Sequence, residues 1–233
     1  MNILITGANR GLGCHLTQLG LQRGHVIIAG VRSKAALSVE MKQLKEQYGE
    51  SLHFVELEVT SESSIINAAS EIKAVVGMLN AIINNAAVLL GKEKFIEELD
   101  MDDVLQSFEV NTFGPMRVVK HCLPLMRMGE AGFIINISSE AGTIVNAFPT
   151  NYPYSMSKTA LNMFSERLKE HLKDKGIRVY AVHPGWIKTD MGGESAPGNP
   201  DDTANGIYDI MEAKVNIYSK IAFINFLGKP MPL

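Results

Sequence analysis

Cysteine is nearly absent. Two residues in 233, Cys14 and Cys122, cannot build a disulfide framework, and both fall in stretches that read as helix, so they are expected as buried or half-buried reduced thiols. Charge of one sign is not in excess. Twenty-two basic and 25 acidic residues leave a net charge of −3, with no polybasic run of the kind that binds nucleic acid or anionic membranes. Long hydrophobic runs are missing: none approaches the ~18 apolar residues needed to cross a bilayer. The opening MNILITG carries only the three apolar residues Ile3 to Ile5, too few for a secretory signal core, so a reducing cytoplasm is the expected compartment. The six histidines are scattered without ligand spacing, which predicts no catalytic metal. No linker, internal repeat or low-complexity tract breaks the chain, so one domain is expected over residues 1–233. The partner left by these exclusions is a small uncharged or phosphorylated molecule, not nucleic acid or membrane.

What is present is a hydrophobic fraction of 46% arranged in short apolar runs between longer amphipathic stretches. The runs are 2–6, 25–31, 52–59, 80–86, 132–138, 178–183 and 220–226, and most lack apolar/polar alternation. Strands buried on both faces have this character, and parallel sheets bury both faces. Helical patterns fill the gaps at about 12–23, 34–48, 62–76, 99–128, 154–175 and 201–216. Alternating strand and helix predicts an α/β fold: a doubly wound, Rossmann-type domain with a mostly parallel seven-stranded sheet and helices on both faces.

In such a sheet, ligands sit beyond the carboxyl ends of the strands. The segments that follow the predicted strands are TGANRGLG (6–13), Arg32, Glu58, NNAA (84–87), SSEAG (138–142) with YPYSMSK (152–158) shortly after, and PGWIKTDM (184–191). Six polar or glycine-rich segments on one edge exceed what turns alone require. Gly7, Gly11 and Gly13, between a strand and a helix, would let phosphates approach a helix N-terminus, although their spacing is G-x3-G-x-G and not G-x-G-x-x-G, the usual dinucleotide fingerprint. An acid closing the second strand would hold the adenosine ribose of NAD. The strand instead ends Gly30-Val31-Arg32, and Arg10 adds a second cation in the glycine loop, which predicts NADP(H).

Together, TGANRGLG, NNAA, Asn111 in EVNTFGP, the serines of NISS, Tyr154 with Lys158, and Pro184-Gly185 resemble the short-chain dehydrogenase/reductase family nearly end to end. HPGWIKTDMGG (183–193) and the length are most similar to its C-factor/sniffer-like carbonyl reductases. The resemblance implies a hydride-transferring oxidoreductase acting on a carbonyl or secondary alcohol. It implies that Gly7, Gly11 and Gly13 line the pyrophosphate and that Asn85 supports the fourth strand. Ser139 would hold the substrate carbonyl, and Tyr154 would be the acid/base. Lys158 would bind the nicotinamide ribose, with Asn111 anchoring a water that feeds it protons. Pro184, Ile187 and Thr189 would flank the nicotinamide. The implied cofactor surface also takes in Asn9, Arg10, Leu12, Arg32, Glu58, Val59, Ala86, Ala87 and Gly185. The family usually has glycine at Ala87 and aspartate at Glu58, and the stretch from Ser139 to Tyr154 is slightly long, so Ser138 stays open as the active hydroxyl. Family members form dimers or tetramers through their long fourth and fifth helices, and monomers exist, so a homo-oligomer stays open too.

The chemistry stands without the family. A carbonyl that accepts hydride needs a proton donor at its oxygen, and a tyrosine serves, although its free pKa is about 10. A lysine ~4–5 Å away at an effective dielectric near 20 would favour the phenolate by about 3–4 kcal/mol, bringing the phenol toward working pH. Residues 154 and 158, four apart, share one helix face. Pro153 is expected to open that helix, leaving Tyr152 in the preceding loop. Candidate substrate contacts besides Ser139 are Phe148, Tyr152, Trp186 and Met191, with Leu89, Leu90 and Val145 as further walls; they suggest an apolar or aromatic carbonyl compound. The glycine- and proline-rich 191–200 is expected as a mobile lid. His183 is expected to be structural, and Met116, Met126 and Met128 to pack helices. The alternative function is a nucleotide-binding signalling or regulatory protein on the same fold. A methyltransferase fails on the loop pattern and on the missing acid after the second strand.

Overall fold

In the computed structural model, which describes residues 1–126, 131–145 and 147–233, seven strands form one sheet in the order β3-β2-β1-β4-β5-β6-β7. The strands are β1 (Asn2–Thr6), β2 (Val26–Val31), β3 (Leu52–Glu56), β4 (Ala81–Asn84), β5 (Gly132–Ile137), β6 (Ile177–His183) and β7 (Phe223–Asn225). Every pairing is parallel, and Leu4 stands beside both Ile28 and Ile82. The chain reverses its winding between β1 and β4, which opens the crevice where such sheets hold ligands.

The lack of alternation in the strands has the expected cause. Ile3, Ile5, Ile27 and Ile83 pack on one face with α1 (Gly11–Gln22), α2 (Val39–Tyr48) and α7 (Pro200–Met211). Leu4, Ile28, Ile82 and Ile134 pack on the other with α3 (Glu62–Val76), α5 (Gly114–Cys122) and α6 (Tyr152–Leu172). Each fully buried aliphatic side chain contributes about 1.5–3 kcal/mol, so both faces hold the sheet. Cys122 is buried and Cys14 half-buried, both as free thiols. No described helix is long and apolar enough to cross a membrane.

Three element expectations that bear on the site need correction; away from it, the helix expected over 34–48 begins only at Val39 and the one expected over 201–216 stops at Met211. The helix expected over 99–128 is broken: α4 (Met101–Phe108) passes through a π turn at Glu109–Phe113 into α5, which ends at Cys122. That turn swings Asn111 inward, and π turns of this kind concentrate at functional sites. Met126 is buried as expected, but Met116 is 42% exposed and packs no core, and Met128 lies outside the described residues. Second, α6 opens at Tyr152, not at Pro153. Asn151 takes a left-handed conformation (φ 61°) and accepts a hydrogen bond from the Glu93 N–H at 3.1 Å, so the chain turns into the helix one residue early. Pro153 still falls in the first turn, where its missing N–H needs no partner. Third, β3 ends at Glu56, leaving Glu58 in the turn beyond it.

Candidate active site

The glycine loop leaves β1 and is locked to the end of β4. The Asn85 and Ala86 amides donate to Thr6 Oγ1 at 3.0 and 3.1 Å, and Asn85 Nδ2 donates to the Thr6 and Gly7 carbonyls at 3.0 and 3.2 Å. Glycine is needed at all three positions. Gly7 sits at φ +64° with Ala86 Cα 2.9 Å from where a Cβ would be, and a Cβ on Gly13 would meet the Gly7 carbonyl at 2.2 Å. Gly11 takes φ +53°, and among the described residues only Thr189, at 3.8 Å, comes near where its Cβ would be, so this side of the loop is open. The N-terminus of α1 has Arg10 at its cap position with no side chain capping it. Among the described residues its first-turn amides therefore have no anionic partner, which fits a pyrophosphate.

The residues assigned to the cofactor fall into different settings. The side chains of Leu12, Val59 and Ile187 are buried in the core, so a contact from them falls to their backbone. Both polar atoms of the Asn9 side chain are engaged: Nδ2 donates to the Ala36 carbonyl at 3.1 Å and Oδ1 accepts from the Ser38 amide at 2.9 Å. Asn9 thus clamps the loop after β2, which bears Arg32, to the glycine loop. Arg32 is exposed, and Arg10, exposed as well, donates to Asp190 Oδ2 at 3.3 Å. Glu58 folds back on Thr60, accepting from its amide and hydroxyl at 3.3 and 3.1 Å. Ala87 is half-buried in the segment after β4. Pro184 accepts from Thr203 Oγ1 at 2.7 Å, Gly185 takes φ +82°, and Thr189 Oγ1 accepts from the Gly192 amide at 3.2 Å.

Beyond β5 the chemistry gathers. Ser138 is buried and donates to Asn162 Oδ1 at 2.6 Å, so its hydroxyl is held by the scaffold. Ser139 faces the Tyr154 phenol. Lys158, fully buried, donates to the Ile137 carbonyl at 2.7 Å and sits 5.5 Å from the Tyr154 ring centroid. Desolvation lowers the lysine pKa to about 7. Burial pushes the Tyr154 phenol up, and the Ser139 hydrogen bond opposes the rise. This corrects the expected direction for Tyr154. A lysine half neutral near pH 7 exerts a weak field on the phenol, and burial wins.

Asn111 joins this cluster through the π turn. It exchanges hydrogen bonds with the Val88 backbone, at 2.8 and 2.9 Å, and donates to Ser157 Oγ at 3.0 Å. Ser157 Oγ donates in turn to the Tyr154 carbonyl at 2.8 Å. Sequence reasoning passed over Ser157 and Asn162. Their signal was polar residues on the face of α6 that Leu161, Leu168 and Leu172 bury.

Of the expected substrate contacts, Tyr152, Leu89 and Leu90 are half-buried, whereas Val145, Phe148, Trp186 and Met191 are exposed. The segment 191–200 is tied to Trp186 and Ile187 before it. Gly198 bridges to Ile187, Trp186 Nε1 donates to the Gly192 carbonyl at 2.8 Å, and Ala196 is buried. Gly192 permits this because a Cβ there would meet the Ile187 carbonyl at 2.1 Å.

Comparison with known proteins agrees with this architecture. The family model described as short chain dehydrogenase matches residues 1–200. The uncharacterized oxidoreductase YusZ of Bacillus subtilis is 35% identical over 193 residues, 81% of this chain and 65% of that protein's length. C-signal of Myxococcus xanthus is 31% identical, covering 67% of this chain and 93% of its own. Among solved structures, carbonyl reductase Sniffer of D. melanogaster superposes with a TM-score of 0.90 at 28% identity, covering 100% of this chain and 99% of that one. The NADPH-bound carbonyl reductase from chicken fatty liver gives 0.85 at 28% identity, covering 100% and 98%. The chain belongs to the short-chain dehydrogenase/reductase family of nicotinamide-dependent oxidoreductases.

Proposed function

We propose that this protein is an NADP(H)-dependent oxidoreductase that interconverts a carbonyl compound and its secondary alcohol, using Ser139, Tyr154, Lys158 and Asn111. The observation that carries this reading is the convergence of Tyr154, Ser139 and the buried Lys158 at the same sheet edge as the uncapped N-terminus of α1. The NADPH in the chicken structure, and the NADP in one from Burkholderia multivorans, support the choice of cofactor.

Gly7, Gly11 and Gly13, with the first-turn amides of α1, would hold the pyrophosphate; Arg32 would hold the 2′-phosphate, and Lys158 the nicotinamide ribose. When bound, NADP(H) supplies or accepts the hydride. Ser139 donates a hydrogen bond to the substrate oxygen and orients it. Tyr154 gives its phenolic proton to that oxygen in the reducing direction and takes it back in the oxidising one. The raised phenol pKa keeps Tyr154 protonated at neutral pH, which suits a proton donor. Asn111 holds the turn of α6 that carries Tyr154 and Lys158 through Ser157. The exposed apolar side chains of Val145, Phe148 and Trp186 favour an apolar or aromatic substrate.

The test is NADPH oxidation across a panel of carbonyl compounds with wild type, Tyr154→Phe and Tyr152→Phe. Tyr154→Phe is expected to lose turnover by roughly 10²–10⁴ with NADPH binding retained, and Tyr152→Phe to stay within a few-fold. Lost turnover in Tyr152→Phe with Tyr154→Phe still active overturns the assignment. The similarity to C-signal favours a second reading, a cofactor-binding signalling protein. Tight NADPH binding with no turnover on any carbonyl would support it.

A further inference from the structure

We infer that His183 is a positioning residue for the Ser139 hydroxyl, its ring replacing a rung that the backbone of the β5/β6 ladder does not supply. This rests on the reading of Ser139 as the hydroxyl that binds the substrate oxygen. The ladder runs to Ile137 beside Val182 and continues one step further, where the Ser138 amide donates to the Val182 carbonyl at 2.8 Å. In a parallel pair the next donor on that side is the Glu140 amide, and the next acceptor is the Pro184 carbonyl. That carbonyl is taken by Thr203 Oγ1 at 2.7 Å. The Glu140 amide turns instead to His183 Nδ1 at 3.1 Å.

Ser139 therefore lies between two anchored amides, 138 fixed by backbone and 140 fixed by the imidazole. Its own Oγ accepts from the Ala141 amide at 3.1 Å in the tight turn Glu140–Gly142. Releasing the Glu140 amide frees the peptide whose orientation aims the Ser139 side chain at Tyr154. The ring is built for the task. Its side chain is only 13% exposed, and an amide donor at Nδ1 requires that nitrogen to be bare, which puts the ring proton on Nε2, 3.9 Å from the Glu140 carboxylate. Burial lowers the His183 pKa, against the opposing pull of Glu140, and so favours the neutral ring that can accept.

Three variants test this beside Ser139→Ala. His183→Phe keeps a ring and removes the acceptor. His183→Asn places a carbonyl oxygen near the former Nδ1. Glu140→Pro removes the donor from the other side, at the first position of its turn, where proline fits, after an extended Ser139 (φ −159°, ψ 152°). From the usual net effect of losing one hydrogen bond, His183→Phe and Glu140→Pro are each expected to lower kcat by roughly three- to tenfold. NADPH Kd should stay within about twofold, and His183→Asn should recover most of the loss. Combined with Ser139→Ala, neither should reduce kcat further. Wild-type kcat in folded His183→Phe or Glu140→Pro overturns the inference, as does a loss that multiplies with that of Ser139→Ala, or a His183→Asn no better than His183→Phe. If His183→Phe does not fold, Glu140→Pro decides alone. Full turnover in Ser139→Ala removes the role of Ser139 itself and this inference with it, whereas lost turnover there with wild-type kcat in the other variants removes the inference only.

Discussion

Lys158→Met should make the protein more stable at neutral pH while removing its turnover. The lysine is fully buried, and desolvation lowers its pKa from 10.5 to about 7. At ~1.4 kcal/mol per pH unit, holding the charged amine inside the fold costs about 5 kcal/mol, and about 4 kcal/mol at pH 7, where the folded-state amine is half neutral. Methionine removes that cost but strands the Ile137 carbonyl, which now accepts from Nζ at 2.7 Å. A stranded buried acceptor costs about 1–3 kcal/mol, leaving a net gain of roughly 1–3 kcal/mol, or about 3–10 °C in Tm for a protein of this size. The sign with pH follows from the two pKa values. Below about 7 the lysine is charged in both folded and unfolded states, and the full penalty is present. Between about 7 and 10.5 only the unfolded state keeps the proton, so wild-type stability rises with pH, and above 10.5 the penalty is gone. Thermal unfolding of both proteins from pH 6 to 10 isolates this one group, because all others titrate in both. The advantage of the variant should shrink with pH and reverse between about pH 8 and 10. A variant less stable at pH 7, or a difference that does not change with pH, refutes the reasoning.

Arg32→Asp should weaken NADPH binding at least tenfold by removing a charge-assisted partner, and should improve NADH binding relative to it; equal wild-type affinities for the two cofactors, by fluorescence titration, would sink this. Gly13→Ala should cost more than tenfold in NADPH affinity, because its Cβ would lie 2.2 Å from the Gly7 carbonyl and 2.7 Å from Asn85 Nδ2 and must displace the glycine loop. An unchanged Kd in that variant would show that the loop yields without loss.

The sequence by itself determined the architecture. Apolar runs without alternation need cover on two faces, and their spacing by helices demands parallel crossovers, so seven parallel strands follow from patterns within each segment. The glycine loop and the four-residue step from Tyr154 to Lys158 were equally legible, because a turn and a helix face are local properties. The failures have one character. The π turn at Asn111 exists because a side chain reaches the Val88 backbone, and α6 starts early because Asn151 meets Glu93. Asn9 clamps the loop after β2, and Arg10 found Asp190. Which of two adjacent serines faces Tyr154 was decided by Asn162, which holds the other. Each of these is a hydrogen bond or ion pair between residues distant in the sequence, whose partner no local pattern names. Burial decided the rest: the same tyrosine and lysine that a sequence argument couples by Coulomb attraction are shifted instead by the water that the fold excludes from around them.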